Sequence, residues 1–443
     1  MIGIILLIIS IVLYPLGCKR WSLLLFVSFA TRGLGFLTDE VIGIKNHDLA
    51  VVYTLVICLY SVIYERKKKV EEDRLLSLLI KALFIFLICS VAFSWVHYQF
   101  TPYQILQGGR QHFIILSYFF LRKTERKDVI WLLRMLFYIT LLHSVLYIIQ
   151  VLTGAEVLPY KYAGEVKEDQ YTGVLRYYNS PHLLAFFLYM TMLYPLRNYV
   201  LNNMAAVAFL AALLCTQGRT AISIVLICLL LGYLVRGRLS GSVRIAIIIC
   251  LVLLPFTELI ISRYEESSTK DDIQAVLNGD FIDKVKNGEP IEGTLMFRFA
   301  WVYERALYMS ERPFSEKIFG LGMISDSQKD VVNSMYHFTV GLIDEETELP
   351  VQLGTSDIAY GNMLTQLGYC GGFLLLFIWI RLAILFFKRR KVDSLLLCMS
   401  LFVISRILGS VSGSHISIAA YLAIPFLMLP IMWEDIGKGK IKK

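Results

Sequence analysis

Long apolar runs almost free of charge recur along this chain of 443 residues: Ile2 to Gly17, Leu49 to Tyr64, Ala82 to Val96, Ala221 to Val235 and Ile245 to Ile261. With a few flanking residues each approaches the ~20 residues that a helix needs to cross a hydrocarbon core. A segment in lipid must satisfy its own backbone hydrogen bonds, so many such runs in one chain predict an all-α, polytopic transmembrane bundle. Composition agrees: 57% of residues are hydrophobic, 18% are charged and mean hydropathy is +0.63. Soluble chains lie nearer half apolar and about a quarter charged. Further spans are expected near 21–38, 104–121, 129–152, 181–197, 202–217, 358–387, 394–411 and 416–433. The total is about thirteen, or about twelve with one shorter N-terminal crossing. The first run lacks a basic start and a small-residue cleavage site, and reads as a retained helix.

Basic clusters fix the expected orientation. Lys19-Arg20, Arg66 to Lys69 with Arg74, Arg122-Lys123 with Arg126-Lys127, Arg236-Arg238-Arg244, Lys388 to Lys391 and the tail Lys438 to Lys443 lie in short loops or tails. An even number of spans separates consecutive clusters, so all can face the cytoplasm together. The net charge of +8 then reports cytoplasmic anchoring to membrane lipid and does not suggest nucleic acid. Outside lie the 153–180 loop, the turn Gln217-Gly218-Arg219 and the segment Ser262 to Ser356. That last segment holds 17 acidic and 9 basic residues. A structureless loop of this length is rare unless it is functional, and helices capping the bundle are expected in it. The chain divides into an N-terminal transmembrane bundle (1–261), an extracytoplasmic loop domain (262–356), and C-terminal transmembrane helices with a basic cytoplasmic tail (357–443).

Several function classes recede on the sequence alone. The eight cysteines sit in or beside the spans, which is neither a disulfide framework nor a zinc pattern. No nucleotide-binding glycine loop or Walker lysine is present, against an ATP-driven pump. Acidic residues inside the spans are few, against a proton- or sodium-coupled transporter. No intramembrane histidine and asparagine pair suggests an acyltransferase.

Three outward stretches carry the unusual residues. In Arg176 to Met190, Asn179-Ser180-Pro181 reads as a turn with proline in the first turn of a helix, placing Arg176 and His182 at the surface. In Cys215 to Leu230, Arg219 opens a helix, where the dipole, free N–H groups and a guanidinium together favour an anion such as phosphate. It could equally be a snorkelling arginine. In Gly293 to Pro313, helical spacing puts Arg298, Trp301, Arg305, Tyr308 and Arg312 on one face. That stripe suits a substrate with phosphate and sugar, or is simply a solvated surface. Gly320-Leu321-Gly322 follows. Asp357 then stands where the loop re-enters the membrane, as a helix N-cap on the plain reading.

Taken in order, these stretches resemble the O-antigen polymerase/O-antigen ligase superfamily of bacterial surface-polysaccharide assembly. The resemblance spans about residues 170–380. It rests on Arg176 with Asn179 and Pro181, Arg219-Thr220-Ala221, Arg298, Gly320-Leu321-Gly322 and the stretch from Asp357 to Gly372. Ligases of the superfamily usually carry His-Asn or His-Ser where this chain has Ser356-Asp357, and that departure favours polymerase-type members. The resemblance implies a metal-independent glycosyltransferase in the bacterial cytoplasmic membrane that needs no cofactor. Its donor would be an undecaprenyl-pyrophosphate-linked glycan and its acceptor a second glycan, with a flippase and a chain-length regulator as partners. Arg219 and Arg298 would stabilise the departing pyrophosphate, and Asp357 would act as general base. Arg176, Asn179, His182, Trp301, Arg305 and Tyr360 would bind substrate, with His182 and His337 as reserve bases. A ligase and, from a different class, a polysaccharide flippase or transporter remain alternatives.

Overall fold

The computed structural model describes residues 2–37, 40–41, 44–65, 72–159, 167–168, 175–237, 269–291, 293–344 and 347–438. The expected span at 245–261, the cluster Arg66 to Lys69, residues 160–166 and 169–174 of the 153–180 loop and most of the basic tail lie outside the described residues. The chain is mostly helical, and its described strands are two antiparallel pairs of two residues each: 40–41 with 44–45, and 167–168 with 175–176.

Four described helices are long and apolar enough to cross a membrane: Asn46–Tyr64, Arg74–Val96, Arg126–Thr153 and Ala359–Lys388. Shorter apolar helices pack among them, including Ile2–Leu13, Leu184–Leu193, Tyr199–Cys215, Arg219–Val235 and Ser394–Gly409. At 1.5 Å rise per residue the 10 residues of Leu184–Leu193 fall well short of a hydrocarbon core about 30 Å thick. Several expected crossings are therefore shorter or broken than their apolar runs imply. The run at 104–121 divides into the helix Pro102–Gly109, a 3-10 stretch Arg110–Leu116 and the helix Ser117–Leu121.

Local chemistry sets many of the ends. Asp73 accepts from Leu76 N at 2.8 Å and Asp393 from Leu395 N at 2.9 Å, each capping the helix that follows. Thr101 and Gln104 form a capping box with Pro102 in the first turn, which satisfies two otherwise open groups. Gly154, at φ 70°, closes the Arg126–Thr153 helix in a left-handed cap.

Charge segregates to one end of the bundle. There Arg381 clamps Asp73 through two bonds of 3.0 and 2.5 Å, Arg126 meets Asp393 at 2.8 Å, and Arg20 meets Asp128 at 2.6 Å. Lys19 pairs with Glu65 and Arg122 with Glu72. The described basic clusters thus gather on one side, as the positive-inside pattern requires.

The segment expected outside, Ser262 to Ser356, sits at the opposite end. Its described helices are Thr269–Asn278, Asp280–Asn287, Thr294–Glu311, Phe314–Phe319 and Lys329–Met335. After Phe319 the chain plunges between two elements of the bundle. Gly320, at φ 82°, lies against the main chain of Thr365 and Gly368, and Leu321 N–H donates to Thr365 O at 2.7 Å. Gly368 itself is left-handed, at φ 60°, and breaks the Ala359–Lys388 helix there. A Cβ on Gly368 would stand 2.4 Å from Ile318 O, so only glycine admits the approach. On the other side, Gly108 lets the main chain of Ile324 come equally near.

Candidate functional site

A cavity of about 220 Å³ opens at the end of the bundle away from the basic clusters. Its walls come from the Arg176–Pro181 segment, the junction of Tyr199–Cys215 with Arg219–Val235, and the end of Ser394–Gly409. Arg176, Ser180, Thr216, Arg406, Ser412 and His415 supply its polar lining.

Arg176 stacks on the Tyr178 ring at 4.8 Å, and its buried Nε has no hydrogen-bond partner among the described residues. Gly218 lies close by, on the same wall. Opposite, Arg406 donates through Nη2 to the His182 carbonyl and through Nη1 to His415 Nδ1 at 3.1 Å. An arginine can only donate, so Nδ1 of His415 accepts and the ring is neutral. Burial, with help from Arg406 and Arg32, pushes the His415 pKa down to about 3. The wall therefore offers fixed guanidinium charge and a neutral imidazole.

Arg219 opens its helix as expected, between Gly218 and Ala221 of the wall, but its side chain is exposed and forms no part of the lining. Asn179 serves the scaffold. Its side-chain oxygen accepts from Gln150 at 3.3 Å and its carbonyl meets His143 Nε2 at 2.9 Å, which ties the turn to the Arg126–Thr153 helix. His182 contributes its carbonyl to Arg406, and its ring lies 5.3 Å from that of Tyr421.

The outer helix Thr294–Glu311 departs most from expectation. Its basic-aromatic stripe faces inward. Trp301 and Arg305 are fully buried, so neither presents a surface to a ligand. The Arg305 guanidinium lies between the rings of Trp301 (4.1 Å) and Phe338 (4.4 Å). It donates to Glu304 at 2.7 Å and to the carbonyls of Val340, Val351 and Gln352. This residue pins the 338–352 strap to the helix. Trp301 fills the space over Gly361, where a Cβ would come within 2.1 Å of the ring. Arg312 stacks on Tyr308 at 4.2 Å and faces Glu316 at 3.7 Å.

Arg298 is the stripe residue left near chemistry. Burial lowers its pKa and the nearby Asp357 carboxylate raises it. Its buried Nε has no hydrogen-bond partner among the described residues. Asp357 is not the N-cap. That position belongs to Ile358, which has no side-chain cap bond, while Ala359 N–H donates to Ser410 O at 3.0 Å. The Asp357 N–H donates to Thr355 Oγ1 at 3.2 Å, and its carboxylate lies near Arg298 without forming an ion pair with it. Tyr360 is tied down through its hydroxyl, which donates to Ile407 O at 2.9 Å. The Ala359 and Tyr360 bonds tie the start of this helix, beside Asp357, to the same helix end that carries Arg406 into the cavity. His337 is exposed, between the buried Tyr336 and Phe338.

Arg406 and His415 were not singled out by the sequence reading. The signal was present: an arginine within an apolar run is costly and marks function by default. Among the described residues no group of three or more His, Cys, Asp or Glu is placed to hold a metal ion. Neither a protein-family model nor a curated protein matches this sequence.

Proposed function

We propose that this chain is a multi-pass glycosyltransferase of the bacterial cytoplasmic membrane that polymerises undecaprenyl-pyrophosphate-linked oligosaccharide repeat units on the outer face. The observation that carries the reading is the cavity walled by Arg176 and Arg406 at the end of the bundle away from the basic clusters. A diphosphate leaving group needs fixed positive charge, and a lipid-linked donor needs that charge at a membrane surface.

In the reaction, a hydroxyl oxygen of the acceptor sugar bonds to the anomeric carbon of the donor. The bond from that carbon to the diphosphate oxygen breaks, and the electron pair leaves with undecaprenyl pyrophosphate. Arg176 and Arg406, with Arg219 at the helix start, stabilise the developing charge, as fixed donors do at an oxyanion. The acceptor's proton passes to the Asp357 carboxylate, which lies near the Arg298 charge. A pyrophosphate-linked donor carries its own leaving group, in keeping with the missing nucleotide motifs.

Deleting the gene tests the reading. Single lipid-linked repeat units should accumulate in place of long chains, and the intact gene should restore them. Accumulation of long lipid-linked polymer that never reaches its final acceptor would make the protein a ligase instead.

A further inference from the structure

At the opposite, basic end of the bundle a second cavity of about 430 Å³ lies between the starts of Lys19–Ala30 and Arg126–Thr153. Four cations line it, Lys19, Arg20, Lys123 and Lys127, against two carboxylates, Glu125 and Asp128. Glu65 reaches Lys19 from outside the wall. Lys123 donates to Ser61 O and Oγ at 3.0 and 2.9 Å, so its ammonium is held in place. The Lys127–Glu125 pair is different: both side chains are more than half exposed, at 68% and 52%. Such a pair holds little free energy and opens readily. Trp21 also lines the cavity, is exposed, and packs edge-on against Trp131 at 4.9 Å. Exposed tryptophan at a helix end marks headgroup depth in a membrane protein.

A cation-rich pocket bordered by Trp21 at that depth fits one class of ligand, a phosphodiester attached to acyl chains. We propose that this cavity binds the headgroup of an anionic phospholipid, with Lys127 released from Glu125 to meet the phosphate and Trp21 lying against the glycerol and upper acyl carbons. The site rests on the membrane reading of the helices and is independent of the glycosyltransferase reading.

The full chain purified in detergent, with phosphatidylglycerol added, tests this. Native mass spectrometry should show one retained phosphatidylglycerol, and bound lipid should shield Cys18, an exposed wall residue, from maleimide. Lys127→Gln should weaken retention about fivefold, the effect of one basic residue near a lipid surface. Lys391→Gln, an exposed lysine outside this wall, should leave it unchanged. Equal retention of phosphatidylcholine, equal loss in both variants, or the same Cys18 protection by free phosphate would each overturn the proposal. A chain that stays in solution without detergent would instead overturn the membrane reading beneath it.

Discussion

Arg406 donates to Nδ1 of His415 at 3.1 Å, which leaves that imidazole its proton on Nε2 at the cavity wall. The pair converts a single buried guanidinium into two oriented donors. Replacing Arg406 should therefore cost more than one charge. We expect Arg406→Gln to lower polymer formation by at least about 100-fold, the scale of losing one preorganised donor. Arg406→Lys should rescue poorly, because it cannot reach both His182 O and His415. Chain-length profiles of a deletion strain carrying each variant, with membrane abundance measured alongside, check this.

Asp357 gives a cleaner separation of chemistry from stability than an N-cap would. Because Ile358 holds the cap position, Asp357→Asn should change thermal stability by no more than about 0.5 kcal/mol, as for a surface site. Polymer should nonetheless fall to single repeat units, since asparagine cannot accept the proton. Near-normal chain lengths in the Asn variant would leave the arginines as the supported site.

Arg305 should behave in the opposite way. Arg305→Ala strips donors from three carbonyls and leaves Glu304 with an uncompensated charge, a loss of about 3–5 kcal/mol for a broken buried pair. The expected signature is rapid proteolysis within residues 336–353, with activity lost only as the segment opens. Arg298→Ala, which removes no comparable pin, should stay protease-resistant.

A histidine at the outer end sets a pH dependence. His415 titrates at about 3 in the folded chain against an ordinary value of 6.5, chiefly through burial. The folded state thus resists protonation. Its stabilising contribution is complete above about 6.5 and is lost as pH falls from there toward 3. Melting temperature in detergent should drop between pH 6.5 and 4.5, and His415→Asn should flatten part of that slope. An unchanged slope would place the acid sensitivity elsewhere.

Helical character and the clustering of cations at one end were legible because both follow from local composition. Apolar run length could not show where a helix breaks, as at 104–121, because Gly108 permits a main-chain approach by Ile324 without making the segment polar. The stripe from Arg298 to Arg312 was read from periodicity alone, and periodicity cannot say which way a face points. Val340, Val351 and Gln352, which capture Arg305, lie 35 to 47 residues further on, beyond any local pattern. Arg176 was found because a turn motif flagged it. Arg406 carries a sequence signal as a charge within an apolar run, but its contact with the His182 carbonyl, 224 residues away, comes only from packing.

The seam between Gly320 and Gly368 bears on how the outer segment keeps its seat as surroundings change. Beside it, Arg312 faces Glu316 at 3.7 Å, an ionic contact that salt weakens, and His97 Nε2 lies 3.0 Å from the same carboxylate. The seam itself is main chain against main chain, closed by Leu321 N–H on Thr365 O. It has no side chain to titrate and no net charge to screen. A rise in salinity around this junction therefore loosens its rim before its centre, and the seat of the segment is set by close main-chain packing rather than by the medium.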